Sequence, residues 1–183
     1  MHLLLLFNYI LPQRFKDNLM AGEIDQRKKD SAKNKFVYWL AIGFGSGLAP
    51  KAPGTAGTLV AIPIYLLLNQ LLLWQYLVVL LVMLIAGIWI CDVAAKGLGV
   101  HDDPSIVWDE IVGYMITMIA SPPGWIWVIA GFVLFRLFDV LKPWPIRLID
   151  KKVKGGVGIM LDDVLAAVFA LVVLQISQTL LSL

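Results

Sequence analysis

The stretch FRLFDVLKPWPIRLIDKKVKGGVGIMLDD, residues 135–163, joins one apolar block to the next and is dense in both signs of charge. Upstream, a span over 125–141 is expected to stop at Lys142-Pro143-Trp144-Pro145, because proline lacks the amide hydrogen and clashes with the preceding turn. Downstream, a basic loop runs through Lys154 into Gly155, Gly156 and Gly158, and a last span is expected over about 159–180. Long apolar blocks separated by charged breaks decide the fold class: an all-α, polytopic integral membrane helical bundle.

Composition agrees. Of 183 residues 60% are hydrophobic, against about 45–50% in soluble domains, and mean hydropathy is +0.81. The net charge is only +2 and no basic patch is interleaved with aromatics, so nucleic acid is excluded as a partner. The lone Cys91 rules out an internal disulfide and reads as a small, inert, buried side chain.

Further upstream, residues 55–73 form the first expected span, with Pro63 kinking it, and 74–95 the second. Asp103-Pro104 reads as an N-cap followed by proline at the first helical position, opening a helix that runs to about Ala120. Ser121-Pro122-Pro123-Gly124 ends it. The total is about five spans. Residues 36–48 are apolar but too short to cross, and they run through three glycines into Pro50 and Pro53. They are expected to form a short re-entrant helix and loop lining a polar cavity, where irregular backbone is tolerated in a bilayer. Residues 1–35 make a cytoplasmic or interfacial segment; MHLLLLFNYIL has no basic n-region and does not read as a signal peptide. No repeat is visible, so 36–183 reads as one membrane domain.

Laid on this path, the charges from Lys35 onward fall on one side. The turns near 69–75 and 120–125 carry none, and neither does the tail from Val164. The Lys/Arg excess places the charged side, and the N-terminus, in the cytoplasm.

Several carboxylates lie inside helical segments rather than loops: Asp109, Glu110, Asp139, Asp162 and Asp163. At such depth each costs roughly 2.5–3.5 kcal/mol unless something compensates it. Arg136 and Lys142 are each three residues from Asp139, on the same helical face, and could pair with it. That leaves the other four, which a divalent cation would hold; oxygen ligands suit Mg²⁺. Adjacent residues on a helix diverge, so one member of each acidic pair is expected to bind metal and the other to cap or support. Asp102 and Asp103 read as caps. The loop GFGSGLAPKAPGTAGT, residues 43–58, supplies the complementary half. Lys51, Thr55 and Thr58 are donors, and Gly54 and Gly57 admit an anion to the backbone at a helix N-terminus. It is not a Walker A loop, and alone it would read as a re-entrant turn. Cysteine, aspartyl-phosphate and histidine phosphatase patterns are all missing, which leaves metal-activated water as the attacking group and a carboxylate as its base.

Three blocks, GFGSGLAPKAPGTAGTL, GVHDDPSIVWDEIVG and FRLFDVLKPWPIRLIDKKVKGGVGIMLDDVLA, together closely resemble the phosphatidylglycerophosphatase A family, in order from residue 36 to the C-terminus. The resemblance implies a Mg²⁺-dependent monoesterase at the cytoplasmic face of the bacterial inner membrane that converts phosphatidylglycerophosphate, taken from the inner leaflet, to phosphatidylglycerol. It carries the family's acidic positions onto Asp109, Glu110, Asp139, Asp162 and Asp163. The Gly/Pro motif falls on Lys51, Pro53, Gly54, Thr55, Gly57 and Thr58. Arg136 or Lys142 is expected to neutralise charge on the phosphate. The rival reading is a small-solute or ion transporter built on intramembrane carboxylates; charge confined to one side and the lack of an inverted repeat weigh against it. An alcohol phosphotransferase would need a DGxxAR-type run, which is missing.

Overall fold

The computed structural model describes residues 35–100 and 103–181. The expectations for residues 1–34 and for Asp102 lie outside the described residues. Two compact units divide the chain, 1–36 and 37–183, and the second holds the helical bundle.

Residues 37–41 are helical and pass into a 3-10 segment, Gly43–Leu48, broken by positive φ at Phe44 and Gly45. Six α-helices follow: α1 Pro53–Leu68, α2 Leu73–Leu98, α3 Trp108–Thr117, α4 Trp125–Leu141, α5 Ile146–Lys152 and α6 Gly155–Leu181. No strand occurs among the described residues, in line with the all-α expectation.

The shortest of the apolar helices holds the centre. α3 packs against α1, α2, α4 and α6, and Ile111, Val112, Tyr114, Met115 and Thr117 are completely buried. Its polar groups are tied inside the bundle, as an interior without water requires. The Tyr114 hydroxyl donates to Val128 O at 3.1 Å and the Tyr76 hydroxyl to Met115 O at 2.6 Å. Tyr65 meets the Tyr114 ring edge-on, with centroids 6.1 Å apart. Beyond the C-terminus of α3, Gln175 donates to Ile119 O at 2.8 Å and Gln178 to Ser121 Oγ at 3.0 Å.

The outside is apolar. Leu81, Val82, Ile85 and Trp89 on α2, and Ile126, Ile129, Val133 and Val140 on α4, are all more than half exposed. Apolar surface on that scale belongs against lipid. By length and composition, α2 with 26 residues and α6 with 27 can cross a bilayer. α1, α3 and α4 have 16, 10 and 17 residues, short of the roughly 20 a full crossing takes.

Two local expectations are corrected. Helix α3 does not open at Asp103-Pro104 but at Trp108; Asp103 Oδ1 instead accepts from Ser105 N and Ser105 Oγ, at 2.9 and 2.6 Å, closing a local turn. Part of the expected loop after Pro145 is helical, α5, because Ile146 is completely buried and anchors the segment to the bundle. Pro63 sits inside a single continuous α1.

Candidate active site

The N-terminus of α1 and the acidic ends of α3, α4 and α6 converge. α3 carries Asp109 and Glu110 in its first turn, where the amide dipoles favour negative charge by about 0.3–1 kcal/mol each. α6 brings Asp163, and one oxygen from each of Asp109, Glu110 and Asp163 lies within 4.8 Å of the others. Asp139, on the last turns of α4, is within hydrogen-bonding reach of Asp163 and 2.5 Å from Arg136 Nη1. The same nitrogen is 3.7 Å from Glu110 Oε1. Gly54, in the first turn of α1, completes the wall: a Cβ there would overlap Glu110 Oε1 and stand 3.0 Å from Arg136 Nη1.

Four carboxylates thus meet one guanidinium, and hydrogen bonding here and at the adjacent Asp162 is incomplete. Asp109 Oδ1, Glu110 Oε2, Asp162 Oδ1 and Asp163 Oδ2 are buried with no hydrogen-bond partner, as are Arg136 Nε and Nη1. The Arg136–Asp139 contact is therefore a close charge pair without an aligned hydrogen bond. A buried ionised oxygen left unpartnered costs several kcal/mol, and a positive charge at that point would offset the cost. A set of oxygen donors only, three of them at one point, fits a hard divalent cation.

The acidic pairs behave differently. Asp163 joins the cluster, while Asp162 turns to Lys142, whose Nζ donates to Asp162 Oδ2 at 2.5 Å and to Asp150 Oδ1 at 2.9 Å. Asp109 and Glu110 both reach the cluster, although adjacent helical residues diverge; the longer glutamate side chain folds back to bring its carboxyl within hydrogen-bonding reach of Asp109. The i, i+3 pair Arg136–Asp139 forms as the spacing predicts, but Lys142 does not pair with Asp139. Helix α4 ends at Leu141, Lys142 takes a left-handed φ of 41°, and its side chain leaves the helical face. Burial disfavours its ammonium, yet the Asp162 and Asp150 carboxylates outweigh that and hold its pKa above the ordinary lysine value.

The Gly/Pro loop contributes less than its composition suggests. Thr58 is completely buried and its hydroxyl donates to Gly54 O at 2.9 Å within α1, so it is not offered to a phosphate. Gly57 makes room for Val107. Thr55 is half-buried and Lys51 is exposed. Asp150 was not singled out from the sequence: its partner Lys142 lies eight residues away across a helix break, and no spacing rule connects them.

The phosphatidylglycerophosphatase A family model matches residues 39–178. Phosphatidylglycerophosphatase A of Escherichia coli K12 is 49% identical over 151 residues, covering 79% of this chain and 87% of its own length. The Haemophilus influenzae protein of the same name is 46% identical over 148 residues, covering 80% and 90%. A Bacteroides thetaiotaomicron relative, 42% identical over 148 residues and covering 76% and 91%, is named provisionally as a phosphatidylinositol-3-phosphatase. No solved structure matches.

Proposed function

We propose that this chain, which belongs to the phosphatidylglycerophosphatase A family, hydrolyses the terminal phosphomonoester of phosphatidylglycerophosphate to phosphatidylglycerol and phosphate, with Mg²⁺ as cofactor. The observation that carries the chemistry is the meeting of Asp109, Glu110 and Asp163 within 4.8 Å, with buried oxygens that lack partners, beside the Arg136 guanidinium.

Asp109, Glu110 and Asp163 would hold Mg²⁺, which when bound would supply Lewis-acid chemistry to the phosphate oxygens. The rest falls to side chains of this protein. Arg136, braced by Asp139, presents buried N–H donors to the oxygens on which charge builds. The missing Cβ at Gly54 keeps room for the phosphate against Glu110 and Arg136. A water oxygen forms the new bond to phosphorus and gives its proton to one of the carboxylates, with Glu110 Oε2 and Asp163 Oδ2 open to accept it. The bond from phosphorus to the glycerol oxygen breaks, and that oxygen takes the proton back from the carboxylate, which is thereby reset. Lys142, bridging Asp150 and Asp162, clamps α5 and the end of α4 to α6 along the edge of the site.

The same reading places the protein in the bacterial inner membrane. On this reading α2 and α6 cross the bilayer, and the charged end, rich in Lys and Arg, lies toward the cytoplasm. The substrate then arrives sideways from the inner leaflet. The family names support hydrolysis and lend nothing to solute transport.

The test is phosphate release by purified protein from phosphatidylglycerophosphate, phosphatidic acid and phosphatidylinositol 3-phosphate, before and after chelation. Release from the first lipid, abolished by EDTA and restored by Mg²⁺, is expected. An undiminished rate in EDTA would remove the metal. Release from the inositol lipid alone would move the substrate assignment to the headgroup named for the Bacteroides relative.

A further inference from the structure

Two cavities on the charged side share one residue, and their characters differ. The first, about 320 Å³, is polar and lined by Asp150, Lys151, Lys154 and Asp162 among others. The second, about 450 Å³, lies on the outer surface between α2 and α6, walled by Ile85, Ile88, Trp89 and Val157, with Lys154 at its charged end. Ile85 is 62% exposed, Trp89 58% and Val157 48%, so this groove opens outward to where lipid would lie.

We propose that these cavities form a single lipid-entry site, in which a glycerophospholipid lays an acyl chain along the Ile85–Trp89–Val157 groove and Lys154 binds its phosphodiester. The headgroup then points through the polar cavity toward Asp162, the neighbour of Asp163 in the acidic cluster. This rests on the phosphatase reading for its substrate and adds the residue that measures the headgroup: the substrate carries a phosphodiester and a phosphomonoester, one for each end of the path.

Charge complementarity supports it. The carboxylates lining both cavities are each already paired with a cation. Lys142 holds Asp150 and Asp162, and Asp92 pairs with Lys96 at 2.6 Å and accepts from Gly156 N at 3.3 Å. Lys151 and Lys154 are exposed and form no ion pair among the described residues, so the positive charge left at the junction is theirs. α6, 27 residues long, begins at Gly155, and its positive end adds to that field. A lysine at the boundary between an apolar groove and a polar cavity, its stem against apolar surface and its ammonium toward water, is where a lipid phosphate sits.

Two measurements test this. In Lys154→Gln, the preference for phosphatidylglycerophosphate over phosphatidic acid, which has no phosphodiester, should fall about tenfold, through KM rather than kcat, and Lys154→Arg should restore it. Separately, brominated-chain phosphatidylglycerol in nanodiscs should quench the fluorescence component that Trp89→Phe removes. It should do so better than brominated diacylglycerol, which has no phosphodiester, and Lys154→Gln should erase the difference. Equal losses on both substrates, or quenching at Trp89 blind to headgroup and to Lys154, would overturn the entry site. If no lipid phosphate is hydrolysed but Trp89 quenching still follows Lys154, the site stands and the enzymatic reading fails.

Discussion

In the C-terminal half of α6, Gln175 gives an amide hydrogen to Ile119 O and Gln178 to Ser121 Oγ. In the N-terminal half, Asp162 and Asp163 each keep a buried oxygen with no hydrogen-bond partner. The two halves belong to one helix, yet one is finished and the other waits. Neutral amides that find partners hold helices together with no need of a ligand. Crowded buried carboxylates cost stability unless a counter-charge offsets them.

The sharpest way to break this contrast is Asp163→Asn. Turnover is expected to fall roughly 10²–10³-fold, while thermal unfolding of the protein in EDTA and detergent shifts upward, because one of three crowded buried acids gives way to a neutral amide. Mg²⁺ should raise the unfolding temperature of the parent protein and leave that of the variant unchanged. A variant that still turns over places Asp163 outside the site, and one that is destabilised without metal denies that the cluster is strained. Next in size is Gly54→Ala. The new methyl overlaps Glu110 Oε1 and crowds Arg136, so kcat should drop about ten- to a hundredfold through misplacement of these groups; an unchanged rate would show that the pocket wall yields. At the hydrogen-bonded end, Gln178→Leu should cost about 1 kcal/mol of stability by removing the amide that donates to Ser121 Oγ and leave kcat within about twofold. Ser177→Ala, losing only a bond back to Val173 O in its own helix, should stay within about 0.5 kcal/mol.

How far the sequence reaches can be judged residue by residue. The convergence of Asp109, Glu110, Asp139 and Asp163 was legible, because uncompensated acids inside apolar segments demand a common counter-charge. So was the Arg136–Asp139 pair, since helical spacing dictates it. The helix start at Trp108 was not, because Asp103 can bond either a helix or a local turn, and only the packing of residues 103–107 chooses between them. Nor could periodicity tell that α3 is buried on every side while α2 is not. An apolar run reads the same against protein as against lipid. Lys142 escaped for a geometric reason: its neighbour Pro143 was visible, but the left-handed turn that swings the lysine toward Asp150 and Asp162 was not.

The brevity of α3 has an effect of its own. Its 10 residues rise about 15 Å, half the thickness of a bilayer's oily layer. Its neighbours α1, α2, α4 and α6 run to 16, 26, 17 and 27 residues, so the shorter helix is enclosed along its length and all its residues but Glu110 are buried. The acids of its first turn are therefore positioned by packed protein on every side, which fixes their spacing more tightly than a lipid-facing helix could.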